Sequence, residues 1–210
     1  MVASPLVAAP FQNLGFEVVN TNHLVEVPVE VSTRGGGFRG PAAELLPYWD
    51  LYDGLNPITE IGYNLEPLGA GYPSIDFATI PGAEGSYLLS LAKVGYTLVQ
   101  IGEIPQTAKS LRFLTGTDPM VPSSYLGLAI NGDPISLKLE TIFAGMSYVN
   151  GDISAFAGQT VELAFTTKNV TILDNIAFVI PEPSEWALFS LGGMLICLPR
   201  LYLRFRKTAV

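Results

Sequence analysis

Tyr125-Leu-Gly-Leu-Ala-Ile130-Asn131-Gly132-Asp133-Pro134-Ile135-Ser-Leu-Lys-Leu-Glu-Thr-Ile-Phe143 is the stretch that decides the fold class. Two strand-like runs, 125–130 and 135–143, flank Asn-Gly-Asp-Pro. Asn-Gly is the dipeptide that most readily takes the left-handed conformations of a tight hairpin turn. The same pattern continues outward in both directions. Strands are expected at 74–77, 86–91, 96–101, 110–114, 147–149, 161–166 and 172–180. Toward the start, Leu14, Phe16 and Val18 alternate with Gly15, Glu17 and Val19 as a first strand. The run 24–31 alternates again, with Pro28 marking an edge or bulge. In the aromatic stretch 45–52, Trp49 should supply core volume on a strand, with Tyr48 and Tyr52 nearer solvent. No helix-period segment of useful length precedes Ser184. Roughly ten short strands separated by turn residues predict a mainly β, antiparallel two-sheet sandwich.

Composition narrows the function classes. Charged residues make up only 14% of the chain. Residues 1–180 hold 7 Lys and Arg against 17 Asp and Glu, a formal charge of −10, while the last thirty residues carry +2. An acidic body argues against nucleic acid, whose phosphates need a basic face. Cys197 is the single cysteine, so no intramolecular disulfide can form and thiol catalysis is not indicated. The Gly-rich run 35–40 lacks the Lys-Ser/Thr and the strand-to-helix setting of a phosphate loop and reads as a connector.

The C-terminal thirty residues have three parts in fixed order. Pro181, Glu182 and Pro183 form a rigid tripeptide that stops the preceding strand. Ser184 and Glu185 suit a helix start. The run 186–203 follows, 18 residues interrupted by Pro199 and Arg200. As a helix it spans about 27 Å, close to the ~30 Å of a hydrocarbon core. Trp186 and Tyr202 bracket it as interfacial aromatics, and Arg200, Arg204, Arg206 and Lys207 would hold the end on the cytoplasmic side. A buried helix of a water-soluble domain would need a polar face, which 187–198 lacks. The expectation is one C-terminal transmembrane helix with the body outside the cytoplasm. At the other end, 1–10 has no basic n-region, but Val7-Ala8-Ala9 matches the end of a cleavage site. Residues 1–9 therefore read as the remnant of a truncated signal peptide, 10–180 as the sandwich, and 181–210 as the tail.

Pro-Glu-Pro at 181–183, followed by Ser184, Trp186-Ala187-Leu188, an apolar helix and an Arg-rich end, closely resembles the PEP-CTERM sorting signal of Gram-negative bacteria. The resemblance covers about thirty residues and departs from the pattern at Pro199-Arg200. It implies export, retention in the inner membrane, recognition by an exosortase that cleaves near the tripeptide, and release or attachment at the cell surface. Such proteins are frequent in producers of exopolysaccharide. A patchier resemblance runs through Asn13-Leu-Gly-Phe-Glu17, Leu46-Pro-Tyr-Trp49, 152–165 and Leu173-Asp-Asn-Ile176. These stretches look like galactose-binding-like jelly-roll domains, whose first and last strands pair and which often hold a structural Ca²⁺ there. Carried onto this sequence, that pattern puts Glu17 and Asp174 forward as calcium ligands.

Other chemistry finds little support in the residues. His23, the only histidine, sits in a polar turn; no Gly-x-Ser-x-Gly and no Cys/His cluster occurs. Paired carboxylates for glycan hydrolysis are unavoidable among 19 acidic residues and decide nothing. Sugar contact would use exposed aromatics, for which Tyr48, Tyr52, Tyr63 and Tyr72 are the candidates. The expectation is a non-enzymatic surface or matrix protein needing no cofactor, with exopolysaccharide binding second and a secreted hydrolase third.

Overall fold

A computed structural model describes residues 9–27, 37–65, 72–80, 82–116, 125–143 and 146–180. The second half of the run 24–31, the Gly-rich start of 35–40, residues 1–8 of the expected signal remnant and the whole sorting tail lie outside these. The chain divides into two compact units, Met1–Val179 and Ile180–Val210, and only Ile180 of the second is described. Among the described residues no helix is long and apolar enough to cross a membrane. The helix expected over 186–203 falls outside them.

The body is mainly β. Its strands are β1 (Val25–Val27), β2 (Gly37–Pro41), β3 (Asp50–Asp53), β4 (Asn56–Pro57), β5 (Glu60–Tyr63), β6 (Ser74–Phe77), β7 (Tyr87–Leu91) and β8 (Tyr96–Glu103). They continue with β9 (Ser110–Thr115), β10 (Leu126–Ile130), β11 (Asp133–Ile135), β12 (Leu137–Phe143), β13 (Met146–Asp152), β14 (Thr160–Thr167) and β15 (Thr171–Val179). One helical turn, α1 (Ala42–Leu45), and a 3-10 turn (Ser154–Phe156) complete the set. Nine strands form one sheet in the order β1-β2-β5-β6-β7-β15-β9-β13-β12, and six form the other, β11-β10-β14-β8-β3-β4. Neighbours are antiparallel except β5 and β6.

The two sheets bury one core between them. β14 turns Val161, Leu163, Phe165 and Thr167 inward and β8 turns Tyr96, Leu98, Gln100 and Gly102 the same way, as period-two side chains must. Phe113 of β9 meets Phe165 edge-on, centroids 5.1 Å apart, so the facing sheets touch through aromatic rings. Trp49 packs on Phe165 and on Phe16 at 6.2 and 6.0 Å and donates its indole N–H to the Asn13 carbonyl (3.1 Å). The architecture is sandwich-like.

Four expectations need correction. Residues 37–40 of the run read as a connector belong to strand β2, paired with β1 on one side and β5 on the other. Residues 14–18 are no strand: Asn13 and Phe16 have φ of 50° and 57°, and Phe16 N–H closes a turn onto Asn13 O (3.2 Å). The turn drops Phe16 into the core, where its fully buried ring is worth more than an extended backbone would be. Trp49 stands just before β3, not in it, after Tyr48 at φ 74°. The Asn131-Gly132 turn does join two antiparallel strands, Ile130 facing Asp133. The return strand, however, ends at Ile135, and after Ser136 the chain crosses to pair with β13 in the other sheet.

Candidate functional site

The early Asn13–Glu17 stretch and the late Asp174–Ile176 stretch do meet, through Ile176 N–H to Leu14 O (3.2 Å), although not as paired strands. The meeting point is a β-bulge. Asp174 faces Leu114 and Ala177 faces Arg112, so Asn175 and Ile176 together oppose Phe113 alone. Asn175 takes φ 55°, a conformation asparagine tolerates better than most residues. The kink turns Asp174, which would otherwise follow the ladder, toward the β6–β7 loop.

There it joins a latch. Both Glu17 carboxylate oxygens accept the Ser86 N–H (3.0 and 2.9 Å), and Oε1 also accepts the Tyr87 N–H (3.1 Å). Asp174 Oδ2 accepts the Glu84 N–H (3.2 Å) and Oδ1 the Asn175 N–H (2.7 Å). The Tyr148 hydroxyl donates to Gly82 O (2.8 Å) and accepts from Asn175 Nδ2 (2.9 Å), while the Arg112 guanidinium lies 4.0 Å over the Tyr148 ring. Asp174 is fully buried, and burial pushes its carboxyl up to about 6, the pull of its two N–H donors partly opposing and the Glu17 and Glu84 carboxylates adding to the rise. A calcium ion here would have to draw on four oxygens that already accept N–H donors. Among the described residues no group of three or more His, Cys, Asp or Glu is arranged to hold a metal.

The latch fixes the start of β7 and with it an aromatic row. Phe38 pairs with Tyr63, Tyr63 with Ile75, and Phe77 (two residues on, same face) with Tyr87. Tyr63, Phe77 and Tyr87 close a triangle with centroids 5.8 to 6.1 Å apart. Burial and the Tyr87 hydroxyl at 3.4 Å push the Tyr63 phenol up to about 12. Phe77 remains 45% and Phe38 40% exposed, because the row lies on the margin of the core. Of the four tyrosines singled out from sequence, only Tyr63 belongs to it. Tyr48 is 58% exposed in the turn before β3, and Tyr52 is half-buried in the six-stranded sheet. Tyr72 precedes β6 with the Arg39 guanidinium 4.1 Å over its ring. Sequence reading missed Phe38, Phe77 and Tyr87, whose signal was their place at matching ends of neighbouring strands.

His23 is exposed, with Nδ1 2.8 Å from a Glu44 oxygen. It borders a shallow cleft of about 430 Å³ lined by Val25, Val27, Arg39, Pro41 and Glu60 among others. Pro181, Glu182, Pro183, Arg200, Arg204, Arg206 and Lys207 lie outside the described residues. Comparison with family models, curated proteins and solved structures gives no match to this chain.

Proposed function

We propose that the chain is an exported bacterial surface or matrix protein whose β-sandwich is non-catalytic and whose C-terminal thirty residues are a PEP-CTERM signal, read and cut by an exosortase. The observation that carries this reading is the order of the tail: Pro-Glu-Pro at 181–183, an apolar run over 186–203, and four basic residues from Arg200 on. The chemistry is topological. The helix and its charges stop transfer, the two prolines keep the junction extended for a protease, and the body stays outside. The body supports the reading by ending at the right place: its last strand stops at Val179, two residues before Pro181. The jelly-roll, galactose-binding-like assignment belongs to the same proposal. Support for it comes from the two sheets and from the contact of 13–17 with 174–176.

The intact mass and the location of the mature protein test it. A mass short of the residues after 181–183, in a fraction outside the inner membrane, is the expected result. A full-length chain that stays soluble without detergent would overturn it.

The aromatic row favours a second reading, carbohydrate contact. Phe77 and Phe38 keep part of their apolar surface exposed, and a sugar could pack against it beside the paired hydroxyls of Tyr63 and Tyr87. A polysaccharide pull-down in which Phe77→Ala loses retention is the expected outcome, and equal retention by both proteins argues for the purely structural role. A secreted glycan hydrolase is the third reading, and turnover of any glycan would revive it.

A further inference from the structure

Tyr63 and Tyr87 reach each other across a strand that lies between their own. Tyr63 ends β5, opposite Ile75 of β6, and Tyr87 begins β7, opposite Phe77 of β6. Ile75 belongs to the core, so period two puts Tyr63, Phe77 and Tyr87 on the same inner face, at its margin. The two phenol rings converge at their hydroxyl ends: the centroids are 6.1 Å apart and the oxygens 3.4 Å. Phe77 backs both, stacked on Tyr87 with 25° between the planes and edge-on to Tyr63 at 74°. The backbone holds the pair as well, since Tyr87 N–H is one of the donors that Glu17 captures and Tyr63 is registered against Phe38. Among the described residues each hydroxyl has only the other as hydrogen-bond partner, and both tyrosines are half-buried, so the pair borders solvent. Packing alone asks for rings here, as Phe38 and Phe77 supply. Two hydroxyls aimed at each other on the wet rim add a chemistry that phenylalanine lacks.

We propose that Tyr63 and Tyr87 form an oxidative cross-linking site, at which an oxidant of the peroxidase class joins the two rings into an intramolecular dityrosine. Each phenol gives up one electron and one proton, and the radical left behind is shared between the oxygen and the ortho carbons. An ortho carbon of one ring bonds an ortho carbon of the other, and the two ortho hydrogens then move to the oxygens to restore both aromatic rings. The tyrosines are oxidised and hydrogen peroxide is reduced: two phenols and one peroxide give one biphenol and two waters. The ortho carbons flank the carbon that carries the hydroxyl, so rings that meet at their hydroxyl ends bring those carbons to the same place. Radicals on separate molecules must find each other by diffusion, whereas these two are held together by the fold. The new bond links residues 24 apart in sequence and ties β5 to β7 over the parallel β5–β6 junction. Closing that loop restricts the unfolded chain as a disulfide does, in a protein whose single cysteine, Cys197, can form none within the chain. The inference stands on the body alone and holds however the tail is processed.

The test treats the full chain, dilute and in detergent, with a haem peroxidase and limiting hydrogen peroxide. Digestion after glutamate in denaturant yields residues 61–84, with Tyr63, and 85–103, with Tyr87, because the Glu66–Pro67 bond resists cleavage. The expected product is a monomer with dityrosine fluorescence, in which these two peptides are joined with the loss of two hydrogens and fragmentation places the bond between Tyr63 and Tyr87. Tyr63→Phe and Tyr87→Phe keep the rings, and each should lower the monomer's dityrosine emission several-fold with an unchanged circular dichroism spectrum. Tyr48→Phe, at an exposed position outside the row, should leave the emission as it was. Denaturant present during oxidation should lower the yield several-fold, since the fold and not the sequence spacing brings the rings together. Emission confined to covalent dimers, emission retained in the Tyr63→Phe monomer, or a yield that denaturant does not change overturns the proposal.

Discussion

Glu17 shows how one side chain can tie distant parts of a β protein together. Its carboxylate serves N–H groups 69 and 70 residues away, at the entry to β7. Charge-assisted bonds of this kind contribute about 1.5–3 kcal/mol, less where water reaches them, as it does here. Glu17→Ala should therefore lower the unfolding free energy by about 1–2 kcal/mol in denaturant titrations, and Glu17→Gln should recover part of that loss. Asp174 makes the opposite kind of statement. Its folded pKa of about 6 stands above the ordinary 3.8, so the folded chain holds that proton more tightly than the unfolded one. Stability must then fall as pH rises from 3.8 through about 6, by something on the order of 3 kcal/mol. Unfolding midpoints measured from pH 7 down to 5 should rise, and Asp174→Asn should flatten that part of the profile. The resemblance of two short patterns put 13–17 beside 174–176; they do meet, but through a turn and one backbone hydrogen bond and not as paired strands. The carboxylates' actual partners were not legible, because a backbone N–H leaves no trace in residue identity.

Among the elements, those with one wet face were the easiest to read. β8 and β14 alternate buried and exposed side chains along their length, and their positions follow from period two alone. β7 buries Leu88, Leu89, Ser90 and Leu91 in succession, so only its apolar character was visible, not its facing. The hairpin of β10 and β11 was the plainest signal. Asn131 and Gly132 have φ of 51° and 84°, both in the left-handed region the turn demands. What the dipeptide did not disclose is that Asn131 also pins the turn to β14. It does so through Glu162 N–H to its Oδ1 (2.9 Å) and its own N–H to Glu162 O (2.9 Å). That second role yields a graded prediction. Asn131→Gly keeps the turn conformation and loses only the side-chain bond, so it should cost about 1 kcal/mol. Asn131→Ala loses the bond and strains the backbone as well, and should cost about 2 kcal/mol by the same denaturant measurement.

For the molecule as a whole, the decisive fact is where the last strand sits. β15 lies inside the nine-stranded sheet, hydrogen-bonded to β7 on one side and β9 on the other, and it contributes Leu173 and Ile176 to the core. A sheet whose interior strand comes last in sequence cannot close until synthesis has passed residue 179, and its contacts span most of the chain, which makes folding slow. A chain that crosses a membrane unfolded gains from late closure, which suits the proposed route, with the sorting tail following directly behind the strand that completes the fold. Two truncations separate this view from one in which the tail helps build the body. A chain ending at Ile180 keeps every residue of the core and both neighbours of β15. It should unfold cooperatively, with dispersed amide resonances and a β-type circular dichroism spectrum. A chain ending at Asn169 leaves β7 and β9 with open edges across the gap, and it should show neither a cooperative transition nor dispersed resonances. If the chain ending at Ile180 is also unfolded, residues beyond 180 belong to the folding unit, and the division of labour between body and tail has to be redrawn.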